Sequence, residues 1–358
     1  MSFIPAKNIA HRVYQWKRES QGPISLEIYP TLKCNLDCQF CDTTDRHRPA
    51  VNEMSASEWC KIIKEAKDIG VQEVFVLGGG EPFVHIGIMD ILHTIKDMGL
   101  YGILTTNGTL INKERSQQLL EMQWDEIHFS IDGATSLTHD TLRGKRGSFK
   151  KTVSTLCRLG QKRNYDLRLA IHTVITNRNY FEIPQIVELA YAVGAQRVDF
   201  DDLISYTPEQ KKLELSQIQR KELRRLAQVG LKKANELKIE TTLDQYLLRD
   251  TRIRGKDAPS TEKKSSKGNG LESAPCLKPF YHLTLTADGK ISPCCVLAGQ
   301  GSRLFDMQQP SLKKLWYDDD FLQLLRKRMI DQNPIDRCRE CSNNILNHES
   351  YIRSHFPK

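Results

Sequence analysis

Three cysteines fall within eight positions of "TLKCNLDCQFCDTT": Cys34, Cys38 and Cys41, with Phe40 wedged before the last. A single metal ion that prefers four ligands would be left one short. Three thiolates can instead hold three corners of a cubane 4Fe-4S cluster and leave the fourth iron open to a small chelating molecule. The alternative is a zinc knuckle completed by a distant ligand such as His47, but zinc sites usually pair their ligands in CxxC units and not in a Cx3Cx2C triple. A second group lies near the other end: Cys276, Cys294, Cys338 and Cys341, separated by 18, 44 and 3 positions, with Cys295 beside the second. Four thiolates saturate a cluster or a zinc ion, and spacing alone leaves the two even. Cys60 and Cys157 lie apart, within predicted helices, where a cysteine is ordinarily an inert buried thiol.

The chain of 358 residues is long enough for one large α/β domain plus a smaller appendage. Its formal charge of +8 permits anionic partners without demanding them. No run of eighteen apolar residues exists and the start lacks a signal peptide's apolar core, so the expectation is a cytoplasmic protein with no membrane segment. Thiols are kept reduced there, and with eight of ten cysteines in two clusters, metal ligation is expected over disulfides.

The first cysteine group must be positioned by the elements around it. Between residues 24 and 202 short β-rich runs alternate with helical stretches. The strands read as 24–29, 73–78, 101–106, 126–131, 167–175 and 196–203. Between the first two, "SASEWCKIIKEAKDIG" opens with Ser55 and Glu58 in capping-box spacing and closes on Gly70. Six βα units predict an α/β fold, a partial (β/α)6 TIM-like barrel, with the first cysteines at the carboxyl ends of the strands where such barrels build active sites. Residues 207–250 read as amphipathic helices. Residues 251–275, rich in charge, Ser, Gly and Pro, read as a linker. Beyond it an Ala-Asp-Gly hairpin signal and a helical run form a small α+β lobe. The expected domains are therefore 1–250, a linker at 251–275, and 276–358.

These residues resemble the radical S-adenosylmethionine (SAM) enzymes, whose signature CxxxCxΦC matches Cys34, Cys38, Phe40 and Cys41. The resemblance covers residues 20–205, because further landmarks follow in order at predicted strand ends. "GGEP", Gly79, Gly80, Glu81 and Pro82, follows strand two; in the family its backbone receives the methionine amino group. "TNG", with Asn107, follows strand three. "SIDG", with Ser130 and Asp132, closes strand four, and Arg143 looks like the family's partner for the SAM carboxylate, which suits a guanidinium fork. Singly, each is open to an ordinary turn, cap or surface role; their joint order carries the resemblance. It implies that the open iron chelates SAM and that one electron cleaves the sulfonium to methionine and a 5'-deoxyadenosyl radical, which takes hydrogen from the substrate. A flavodoxin- or ferredoxin-type protein would supply the electron.

The C-terminal cysteines resemble the family's auxiliary-cluster extensions, called SPASM or, when shortened, twitch. Asn343, Asn344 and Asn347 stand after Cys341 where the full pattern has further cysteines, which favours one auxiliary 4Fe-4S cluster. The layout is like that of a family dehydrogenase acting on a sugar-like alcohol. The expectation is accordingly oxidation of a small polar, carbohydrate-like or nucleotide-linked substrate. The alternative is maturation of a ribosomally made peptide. A second alternative is a non-catalytic zinc or iron-sulfur protein; the basic linker residues Arg252, Arg254, Lys256, Lys263 and Lys264 lack the aromatics that nucleic-acid binding would want. His172 and Asp199, on strands five and six, are candidates to face the substrate or to be satisfied core groups.

Overall fold

The structure is a computed structural model that describes residues 4–41, 52–161, 166–205, 207–248, 270–298, 300–302, 304, 311–339 and 351–356. Cys341, His47, the basic linker residues and Asn343, Asn344 and Asn347 lie outside the described residues. In chain order the first half contains α1 (Ala6–Gln15), β1 (Ser25–Ile28), α2 (Ala56–Asp68), β2 (Glu73–Val76), α3 (Ile88–Asp97), β3 (Tyr101–Thr106), α4 (Lys113–Glu121), β4 (Glu126–Ser130), α5 (Ser136–Leu142) and α6 (Ser148–Gly160). There follow β5 (Arg168–Ile175), α7 (Ile183–Val193), β6 (Arg197–Asp202), α8 (Pro208–Lys211), α9 (Gln217–Leu237), β7 (Glu240–Thr241) and α10 (Asp244–Leu248). The chain closes with β8 (His282–Leu285), β9 (Ile291–Ser292), α11 (Leu312–Asp318), α12 (Asp320–Ile330) and α13 (Asp336–Arg339). All six expected strands are present within two residues of their predicted ends.

The chain divides into two compact units, one of residues 1–32, 50–102 and 260–358, the other of residues 33–49 and 103–259. In the first, β1 pairs in parallel with β2 on one side and with β8 on the other. The sequence did not suggest that second pairing, because β8 belongs to the expected C-terminal lobe. The hairpin signal is realised: β9 runs antiparallel to β8, with Thr284 opposite Ser292. The capping box is realised too, as the Ser55 side chain accepts from Glu58 N while Glu58 answers the Ser55 amide, and Gly70 closes the helix at φ +104°. The unit's core joins distant stretches. Ile9, Ala10 and Val13 of α1 pack with Leu277, Phe280, Tyr281, Met329 and Ile352. Arg326 of α12 is buried between the rings of Trp16 and Trp316, 4.8 and 4.3 Å from them, and donates to the carbonyls of Pro279 (2.9 Å) and Trp316 (2.7 Å).

In the second unit β4, β5, β6 and β7 follow β3 in parallel order, with β7, which the sequence reading missed, at the edge. Side chains alternate across a strand, and parallel register keeps partners on one face. One face therefore gathers Ile127, Phe129, Leu169, Ile171, Val198 and Phe200, all buried. The opposite face gathers Glu126, His128, Ser130, His172, Arg197, Asp199 and Asp201, a polar surface built on the same three strands.

Candidate functional site

In the second unit the loop carrying Cys34, Cys38 and Cys41 is gripped from two sides. At the end of α5, Leu142 and Arg143 offer carbonyls to Gln39 N (2.9 Å) and Asp37 N (3.2 Å). Gly144 follows at φ +65°, and a Cβ there would come within 2.1 Å of the Asp37 carbonyl oxygen, so only glycine lets the loop lie this close. At the end of β3, Asn107 donates to Asn35 (2.9 Å) and accepts from the amide and hydroxyl of Thr109, while Asn35 donates to Thr109 (2.8 Å). Asn107, expected from sequence to contact the cofactor, also serves as a strut for the cysteine loop.

All three thiols are half-buried. The Cys34 sulfur accepts from Leu36 N at 3.4 Å. The Arg143 guanidinium donates to the Cys38 sulfur at 3.7 Å, lies 5.3 Å from the centre of the Phe40 ring and forms an ion pair with Asp132. Burial pushes the Cys38 thiol up to about 11; neighbouring Cys41, Asp132 and Cys34 add to this and Arg143 opposes it. Three thiols in electrostatic reach of one another, with donors directed at two of the sulfurs, make a donor set that fits an iron–sulfur cluster, whose binding would displace the thiol protons. Among the described residues no three His, Cys, Asp or Glu side chains converge as tightly as one metal ion requires. A cubane asks for less, since it takes its ligands on separate irons.

Asp132 is fully buried and held on several sides. One carboxylate oxygen accepts from Val174 N (2.8 Å), its carbonyl accepts from the Asn179 side chain (3.0 Å), and its amide donates to His139 Nδ1 (3.3 Å). Burial, with Arg143 nearby, pushes His139 down to about 3, so it is neutral. Ser130, at the end of β4, is level with His172 on β5, which is level in turn with Asp199 on β6. Arg197 holds Asp199 at 2.9 Å. His172 forms an ion pair with Asp201 and keeps 35% of its side chain open to solvent; burial lowers its pKa, but the carboxylates of Asp201 and Asp199 outweigh that and raise it. His128 Nε2 lies 2.7 Å from Glu126, and burial of that carboxyl is outweighed by His128 and Arg168, which bring it down to about 2. Asp201 and the His128–Glu126 pair were missed in the sequence, although alternation in "VDFDD" and "EIHFS" carries the signal.

In the first unit, Gly78 and Gly79 both adopt positive φ, and a Cβ on either would strike the Tyr29 ring or the Thr31 carbonyl. Gly80 N donates to Thr31 O at 2.8 Å. Glu81, almost wholly buried, accepts from Phe83 N (3.2 Å) and so caps the short turn Pro82–Val84. Glu53, unremarked in the sequence, accepts from the Thr31 hydroxyl and from Leu32 N (2.7 Å). Cys276 and Cys338 pack on the same apolar cluster as α1. Burial raises the Cys294 thiol, against the pull of Lys278. Cys295 is exposed. Cys60 accepts from the Thr94 hydroxyl at 3.1 Å and Cys157 is half-buried on α6; both sit on helices. No described helix is long and apolar enough to cross a membrane.

Comparison with known proteins agrees with this layout. Residues 28–190 match the model of the radical SAM superfamily, and residues 276–342 match the SPASM iron-sulfur cluster-binding domain. The AdoMet-dependent heme synthase of Methanosarcina barkeri is 26% identical over 83% of this chain and 82% of its own length. The PqqA peptide cyclase of Rhizobium meliloti is 27% identical over 49% of this chain, which spans 46% of that relative. In fold, the chain is similar to Streptococcus suis SuiB bound to S-adenosylmethionine, with a TM-score of 0.66 at 21% identity, covering 87% of this chain and 70% of that one. The architecture is thus the open, mainly parallel α/β sheet of a partial TIM-like barrel. The chain carries a radical SAM domain and a C-terminal SPASM iron-sulfur domain, and is thereby a radical-mediated modifying enzyme with a SAM-binding 4Fe-4S cluster and additional iron-sulfur as its cofactors.

Proposed function

We propose that this enzyme uses the 5'-deoxyadenosyl radical to modify a peptide. The observation that carries this reading is kinship with the PqqA peptide cyclases in a chain that also has a SPASM domain. It favours the peptide alternative over the carbohydrate-like alcohol expected from sequence. The polar face of β4–β6, with His172, Asp199 and Asp201, suits a substrate rich in hydrogen-bonding groups, and His172 and Asp201 are the members with open surface.

Cys34, Cys38 and Cys41 would hold the SAM-cleaving cluster, which supplies the one-electron chemistry when bound. Ser130 would meet SAM from the end of β4, and the main chain of Gly79, Gly80 and Glu81 keeps the contact with the methionine end that the family resemblance gives it. Asn107 and Asp132 would act indirectly, by bracing the loop and orienting Arg143. Cys276, Cys294, Cys338 and Cys341 would hold one auxiliary cluster, with half-buried Cys294 preferred to exposed Cys295. A flavodoxin- or ferredoxin-type donor in the cytoplasm would complete the system.

A second reading has support of its own. The heme synthase relative is matched over most of both chains, so a tetrapyrrole substrate is the competitor. The test is anaerobic reconstitution to about eight irons per chain, as two cubanes require. The enzyme is then incubated with SAM, reductant and either a short peptide encoded beside its gene or an iron porphyrin bearing propionates. Peptide-dependent formation of 5'-deoxyadenosine with hydrogen lost from the peptide supports the proposal; turnover of the porphyrin alone overturns it.

A further inference from the structure

Arg143 grips the cysteine loop twice, once by main chain and once by side chain. Its carbonyl accepts from Asp37 N, and its guanidinium reaches the sulfur of Cys38 at 3.7 Å. The guanidinium cannot swing freely. Asp132, wholly buried and fixed by Val174 N, forms an ion pair with its Nε, and its Cζ lies over the Phe40 ring, 5.3 Å from the centre. The family resemblance reserves Arg143 for the carboxylate of SAM. The geometry shows a cation already directed at a cluster ligand in a setting with little water, where only 11% of the Arg143 side chain and none of Asp132 is exposed.

We propose that Arg143 is a positioning and tuning residue for the first cluster: aimed by Asp132, its charge stands beside the Cys38 sulfur and raises the reduction potential of the cluster that the three thiolates hold. The proposal rests on the reading that Cys34, Cys38 and Cys41 carry that cluster. Reduction adds a negative charge to an already anionic group, and a cation at hydrogen-bond distance from a ligand sulfur stabilises the reduced form more than the oxidised one. Low local dielectric strengthens the effect, and Asp132 partly offsets it. The pair therefore sets the potential as a difference between two opposed charges, and each can be removed separately.

The experiment uses reconstituted full-length enzyme without SAM, titrated with reductant and followed by low-temperature electron paramagnetic resonance. The signal that changes on later addition of SAM marks the first cluster. Arg143→Gln is expected to lower its midpoint potential, Asp132→Asn to raise it, and Arg143→Lys to stay near wild type, since the charge is kept. Opposed shifts are what a purely structural role would not produce. If Arg143→Gln takes up no iron at this site, the sign of the Asp132→Asn shift decides. Potentials that stay at the wild-type value, or that move together, overturn the proposal, and weakened SAM binding alone in Arg143→Gln would assign Arg143 to the SAM carboxylate instead. Wild-type protein that takes up no iron at the triad overturns the cluster reading itself, and the inference with it.

Discussion

The two cysteine-bearing regions are held by different physics. The first three thiols share one short loop fastened by hydrogen bonds to two neighbouring strand and helix ends, so its shape is set by protein alone. Cys276, Cys294 and Cys338 stand on three separated stretches, two of them packed on the apolar cluster that α1 completes. A pre-shaped loop can exchange its metal without unfolding; thiols gathered from distant stretches depend on core and metal together.

The sharpest break of that contrast comes from the thiols. Cys38→Ala should reduce 5'-deoxyadenosine formation to background yet barely change the melting temperature, whereas Cys294→Ala should leave SAM cleavage measurable while lowering iron content and melting temperature. A larger thermal loss in Cys38→Ala than in Cys294→Ala would reverse the comparison. Next in size is Arg326→Leu, which leaves the buried carbonyls of Pro279 and Trp316 without their donor and should cost about 3 kcal/mol in denaturant unfolding. Gly144→Ala, forced into positive φ against the Asp37 carbonyl, should cost about 2 kcal/mol and lower iron uptake by the first loop while leaving the auxiliary iron in place.

The last effect is a pH dependence, absent at neutral pH. His139 is neutral in the folded protein down to about pH 3, whereas in the unfolded chain it takes a proton near its ordinary value of 6.5. The unfolded state therefore binds more protons between these values, and stability falls as pH drops through 6.5 toward 3. By pH 5 the loss from this residue is about 2 kcal/mol relative to neutral pH. His139→Gln should flatten the slope of unfolding free energy in that window. It should not abolish the slope, because burial also depresses His128 and His282.

What was legible in the sequence was local. The capping box at Ser55 and Glu58, the hairpin around Asp288 and Gly289, and six strands each declared themselves within a few residues. So did the Cx3Cx2C spacing. What escaped depends on partners far along the chain. The amphipathic helix α1 makes sense only against Leu277 and Met329, and the parallel neighbour of Ser25 is His282. Within the site, residue types were read correctly as charged and polar, but not which charge meets which. The spacing did not show that Asp132 and Arg143 pair with each other, or that Asn107 also braces Asn35.

The parallel pairing of β1 with β8 also bears on how the chain comes off the ribosome. Strand β1 is synthesised long before β8, and its second edge stays uncovered until residues 282–285 emerge. Throughout translation the nascent chain therefore presents an open row of backbone donors and acceptors, the kind of edge that recruits other strands. Shielding by a chaperone during that interval, and synthesis carried through β8 at its end, are then conditions for a high yield of native enzyme.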